Sequence, residues 1–188
     1  MNLFSFFFYP FLFLIALSSQ IAADEAALPQ GWVSWPLHYS GIVLGITTEP
    51  QVERLLGQGV IRELEGTTGG RYFVDEKRTA TLHAVFYTDG IVGEVIIEEG
   101  INPKIYKKEQ MKATSKWFNP AEGFGNYHAL RLGSKKEEVI KNLGLPVEKI
   151  EPNGWRYQSK CCSGLPVYFT LFFRENRMFK IVLSAPHG

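Results

Sequence analysis

What most restricts the folding of this chain is a pair of hairpin-like runs that are apolar at nearly every position. "VFYTDGIVGEVII" from Val85 to Ile97 and "LFFRENRMFKIVL" from Leu171 to Leu183 each read as two strands around a tight turn. An antiparallel pair with one solvated face alternates apolar and polar side chains. These runs do not, so both faces of their sheet must meet something other than bulk water. Asp89-Gly90 and Glu175-Asn176 supply the turns, because Gly, Asn and Asp tolerate the positive φ of a two-residue type I′ connection. A lone hairpin is marginal in water, so further strands and a covering layer are required.

The flanking sequence repeats. "YSGIVLGITTEPQVERLLGQG" from Tyr39 resembles "YHALRLGSKKEEVIKNLGLP" from Tyr127, matching Tyr39, Leu44 and Gly45 to Tyr127, Leu132 and Gly133. After a one-residue slip, Val52, Leu56 and Gly57 match Val139, Leu143 and Gly144. Thr48 with Gln51, and Ser134 with Glu137, have capping-box spacing. Val52, Leu55 and Leu56, and Val139, Ile140 and Leu143, form apolar stripes at helical spacing, and Gly57 and Gly144 end both helices. "VIRELE" and "VEKIE" then read as first strands, "GGRYFV" and "GWRYQ" as second ones, and the hairpins supply the third and fourth.

The expected class is therefore α+β: a tandem duplication of a helix plus a four-stranded antiparallel meander, with the helices on one face of a curved sheet. Residues 39–99 form repeat 1 and residues 127–188 form repeat 2, with an N-terminal segment at 24–38. Residues 100–126 are a Gly- and Pro-bounded, Lys-rich linker whose charges read as a solvated face.

Two-residue turns divide the hairpins into two faces. Leu82, Ala84, Phe86, Val95 and Ile97, with Tyr168, Thr170, Phe172, Phe179, Ile181 and Leu183, carry no charge, and are assigned to the helix-covered core. The other face holds His83, Val85, Tyr87, Val92, Glu94 and Ile96, with Phe169, Leu171, Phe173, Met178, Lys180 and Val182. Glu94 and Lys180 argue that water reaches it, since ionised side chains are almost never fully buried without partners. A charge-poor, aromatic, water-reachable face fits an interaction surface. The expected partner-binding residues are His83, Val85, Tyr87, Val92, Glu94, Phe169, Leu171, Phe173, Met178 and Lys180. The alternatives are cover by the chain's own Trp32 and Trp35 or Trp117 and Phe118, and a homodimer contact. A one-residue register error would exchange the faces.

Composition bounds the function. Residues 1–23 carry no charged side chain, hold an apolar run from Phe6 to Leu17 and end in small residues before Asp24, the layout of a signal peptide that directs export to the periplasm or outside the cell. An uncleaved membrane anchor is the alternative, although the run is short for a span of roughly 20 residues. The 20 basic and 19 acidic residues leave a net charge of +1, which argues against a nucleic-acid partner. Cys161 and Cys162 are adjacent, about 3.8 Å apart between Cα atoms, so they cannot staple a loop. A vicinal disulfide, two free thiols and pairing with another molecule stay open. His38, His83, His128 and His187 are scattered without the spacing of a zinc site, and "GTTGG" at Gly66 to Gly70 lacks the P-loop Lys. No metal, no cofactor and no catalytic residues are expected.

The motif order "LG", a Ser/Thr-capped helix with "V…LG", a Gly/Trp/Tyr strand and an "F…DG.V" hairpin resembles the repeat of the beta-lactamase inhibitory protein family and of the SmpA/OmlA outer-membrane assembly proteins. The tandem copy favours the former. The resemblance, over Tyr39 to about Ser184, implies helices on a convex side and a concave sheet that grips a protein. The disulfide within each inhibitor-like repeat and the Cys that carries the SmpA/OmlA lipid are both absent. Inhibition of beta-lactamase is thus not implied.

Together these readings describe an exported, non-catalytic protein-binding module, an inhibitor of or accessory to a periplasmic or secreted protein. The alternatives are an envelope-assembly accessory and a small ligand-binding or thiol-dependent protein using the Cys161-Cys162 loop.

Overall fold

The computed structural model describes residues 28–33, 38–62, 69–100, 127, 130–160 and 166–185. In chain order these form β1 (His38–Tyr39), β2 (Ile42–Val43), α1 (Glu49–Leu56), β3 (Val60–Arg62), β4 (Gly70–Val74), β5 (Ala80–Phe86) and β6 (Val92–Glu99). Then come α2 (Lys136–Leu143), β7 (Glu148–Ile150), β8 (Gly154–Lys160), β9 (Pro166–Arg174) and β10 (Arg177–Ser184). β1 and β2 pair with each other, and the other eight strands make one antiparallel sheet in the order β3-β4-β5-β6-β10-β9-β8-β7.

Local chemistry explains the boundaries. Gln51 Oε1 accepts the Thr48 N–H at 2.7 Å, and Pro50 lies in the first turn of α1, where its missing N–H costs nothing. At α2 the start falls one residue later than the spacing predicts. Lys135 is the N-cap, its N–H donates to Glu138 Oε2 at 2.8 Å, and Ser134 Oγ instead accepts from the Arg131 N–H. A Lys ammonium has no acceptor, so only the Glu138 half of a capping box exists there. Gly57 and Gly144, at φ 89° and 72°, end the two helices.

The hairpins are less regular than two-residue turns require. Gly90 donates to Tyr87 O and Tyr87 to Ile91 O, so Thr88, Asp89 and Gly90 form a three-residue loop with Gly90 at φ +77°. Phe86 is paired with Val92, and Gly93 is an extra residue before Val85 meets Glu94. Glu175 and Asn176, both at positive φ, do form a two-residue turn, and Met178 faces Phe173. Phe179 then bulges, so that Lys180 faces Phe172 and Ile181 faces Leu171.

The core is one cluster running from Val33 through Leu82, Ala84, Val95, Ile97, Tyr157, Phe169, Leu171 and Ile181 to Leu183. The helices contribute little to it: α1 buries Val52 and Leu56, α2 buries Val139 and Leu143, and Leu55 and Ile140 stay exposed. Tyr39, Ile42, Leu44 and Leu130 join the same buried cluster. The expected class, tandem helix-plus-meander units with helices covering a face, is therefore corrected. Among the described residues the molecule is mainly sheet, eight strands plus a separate two-stranded ribbon, with two eight-residue helices. Two buried apolar side chains per helix, at about 1.5–3 kcal/mol each, cannot cover so wide a sheet.

α1 is pinned by Arg71 of β4, whose buried guanidinium donates to Glu49 Oε1 at 2.8 Å, to Glu53 Oε1 at 2.7 Å and to Gln58 O. Lys136 of α2 lies over the rings of Trp155 and Phe173. Because Arg71 pairs with Ala84, and Trp155 with Leu171, the helices mark the face to which the core side chains point.

Candidate functional site: the sheet face away from the helices

Strand alternation builds the far face in rows. One row runs Tyr72, His83, Ile96, Val182, Thr170 and Arg156 from β4 to β8. On one side of it lie Gly70, Val85, Glu94, Ser184, Tyr168 and Gln158, with Trp32 bridged to Gln158 at the edge. On the other side lie Val74, Thr81, Glu98, Lys180 and Phe172. Val85, Ile96, Val182, Tyr168 and Phe172 are half-buried, whereas Tyr72, His83 and Thr170 are buried. The His83 ring stacks on Tyr72 at 3.8 Å between centroids, and a Cβ on Gly70 would collide with the imidazole, so that glycine makes the room.

The residues expected to bind a partner divide. Glu94 and Lys180 stand on the far face with Val85 and His83, His83 being only 8 % exposed. Val92, Phe169, Leu171, Phe173 and Met178 do not: all are at most 2 % exposed and belong to the core. The bulges are the reason. Phe179 puts β9 in the opposite phase to the one that a straight two-residue hairpin gives, so Tyr168, Thr170 and Phe172, assigned from sequence to the core, take the far face. Gly93 does the same for Val92. Tyr87 is engaged within the chain: its hydroxyl donates to Ala185 O, its ring fills the place of a Cβ on Gly93, and burial, with Glu94 and Asp89 nearby, raises its pKa.

Sequence reasoning placed Lys180 on this face but missed Arg156, Arg174 and Lys160. In the half made by β8, β9 and β10, cations lie over rings in four places: Arg156 over Tyr168 at 5.2 Å, Lys180 over Phe172 at 6.0 Å, Arg174 over Phe179 at 4.5 Å and Lys160 over Trp32 at 5.4 Å. Each is an attractive cation–π arrangement. Glu148 accepts from Arg156 at 2.7 Å and Glu98 lies 3.7 Å from Lys180, while the buried Arg156 Nε has no acceptor among the described residues. The available signal was the recurrence of Arg or Lys near an aromatic residue along "GWRYQSK" and "FFRENRMFK".

The other candidates contribute no described chemistry. Cys161 and Cys162, the linker at 100–126 with Trp117 and Phe118, the stretch 1–23, Trp35, His128 and His187 lie outside the described residues. Among the described residues no three His, Cys, Asp or Glu side chains gather as metal ligands, and no helix is long and apolar enough to cross a membrane.

No family model matches this chain, and no curated protein does. Among solved structures it is similar to the crystal structure of a DUF4309 family protein (YjgB) from Bacillus subtilis, at 13% identity over 85% of this chain and 87% of that one, with a TM-score of 0.45.

Proposed function

We propose that the protein is an exported, non-catalytic binding module that holds another protein against the far face of its sheet, as an inhibitor of or accessory to a periplasmic or secreted protein. One observation carries the reading: a band of half-buried apolar and aromatic side chains, Val85, Ile96, Val182, Tyr168 and Phe172, crosses β5, β6, β10 and β9 on the side opposite both described helices. Exposed apolar and aromatic side chains with Arg among them make up protein-binding surfaces. Export is part of the same reading and rests on the uncharged apolar composition of residues 1–23.

The test is position-specific photocrosslinking with p-benzoylphenylalanine at Ile96 or Phe172, against Ile140 on α2, in the fraction that contains the native protein. A defined heterologous adduct from the far-face positions alone is expected. Equal labelling from Ile140, or adducts only with a second copy of this chain, would overturn it.

A further inference from the structure

We infer that the β8–β10 half of the far face selects an acidic, extended segment of its protein partner, with Arg174, Lys180, Arg156 and Lys160 as the carboxylate-reading groups; this rests on the protein-binding reading above. Charge complementarity is the argument. β9, nine residues long, runs beneath this band, about 26 Å from Arg174 to Pro166 at about 3.3 Å per residue. Along it the four cations come one after another: Arg174 near the hairpin tip, Lys180 beside Phe172, Arg156 beside Thr170, and Lys160 beside Pro166. Two of them already meet carboxylates of this chain, Glu98 and Glu148. Arg174 and Lys160 are exposed and meet none among the described residues.

The rings beneath the cations add to the selectivity. A guanidinium or ammonium held over an aromatic face is restrained, so less side-chain freedom is lost when a carboxylate docks, and charge-assisted hydrogen bonds are the stronger kind. The same placement argues against single-stranded nucleic acid, whose bases stack on ring faces. Here cations lie over those ring faces, and the net charge of the whole chain is only +1. An extended peptide repeats its side chains on one face every second residue, as β9 does, so alternating carboxylates match the band.

The experiment is fluorescence anisotropy with the full chain and a labelled decapeptide of alternating Glu and Ser, with the Gln-Ser decapeptide and oligothymidine of equal length as controls. The Glu-Ser peptide should bind at least about tenfold tighter than Gln-Ser at about 0.01 M salt, where charges act over about 30 Å, and lose that margin at about 1 M. Arg174→Gln with Lys160→Gln should weaken binding by about tenfold, while Lys77→Gln in the β4–β5 loop leaves it unchanged; all three side chains are exposed, so folding is spared. Equal binding of the Gln-Ser peptide, an unaffected double variant, or tighter binding of oligothymidine would each overturn the inference. If crosslinking from Ile96 persists while the Glu-Ser peptide fails, the acidic segment is wrong and protein binding stands; loss of both removes the broader reading.

Discussion

At the scale of single residues, Tyr157 shows how a polar atom is kept in the core. Its ring is 0% exposed, packed against Phe169, and its hydroxyl donates to Gly144 O at 3.0 Å, tying the end of α2 to β8. Burial disfavours the phenolate and pushes its pKa well above a tyrosine's ordinary value of about 10. A pKa raised on folding means stability that is complete below the unfolded value, about 10, and is lost as pH climbs from there toward the folded one. Tyr157→Phe should therefore cost about 1 kcal/mol near neutrality, for the lost hydrogen bond. It should also shrink the fall in melting temperature between about pH 9 and about pH 11.5. Thermal melts of both proteins across that range are the check; identical alkaline slopes would place the sensitivity elsewhere, Tyr87 being next since burial raises its pKa too. The sequence marked Tyr157 as a strand residue of "GWRYQ", but nothing in it showed that the hydroxyl reaches a carbonyl 13 positions earlier.

At the scale of elements, the bulge decides which face a residue takes. Phe179 and Lys180 together oppose Phe172, so Lys180 stays on the far face while Ile181 and Leu183 return to the core. Deleting Phe179 would leave Met178 inward, Lys180 outward and Ile181 inward, the ordinary alternation. The variant should fold, with a loss of only a few degrees in melting temperature from the missing ring beneath Arg174. Deleting Ile181 instead would turn Lys180 into the core and should abolish the cooperative transition. Circular dichroism melts separate the two; equal damage from both deletions would show that the extra residue is required by the hairpin. Here the limit of sequence reading is concrete. The Glu175-Asn176 turn and all four hairpin strands were legible, the first turn takes in Thr88 besides Asp89 and Gly90, and the charges of Glu94 and Lys180 pointed to the face away from the helices. Phe169, Leu171, Phe173 and Met178 went to the wrong one, because no side-chain preference announces a one-residue bulge at Phe179, between Met178 and Lys180.

At the scale of the whole molecule, the seam between β6 and β10 makes one body of the sheet. Five register pairs, from Lys180 with Glu98 to Ser184 with Glu94, join the two strands. Val95 and Ile97 on one side share a core with Ile181 and Leu183 on the other. Helix patterning overstated the role of α1 and α2, since a stripe of three apolar residues reads the same whether all are buried or, as with Leu55 and Ile140, one faces water. What the helices leave undone is taken up by continuity of the strands, so neither half has an independent core to fall back on. Phe73, 0% exposed in β4, lies far along the sheet from Trp155 in β8. Phe73→Ala should cost about 3–5 kcal/mol, as large-to-small core changes do. In a single cooperative unit that loss moves every probe together, so tryptophan fluorescence and far-UV circular dichroism should fall to lower urea by the same amount with an unchanged slope. A variant in which circular dichroism loses part of its signal early, while the fluorescence transition stays where it was, would mean that β4 and β5 unfold ahead of β8 and β9 and that the seam does not couple the two ends.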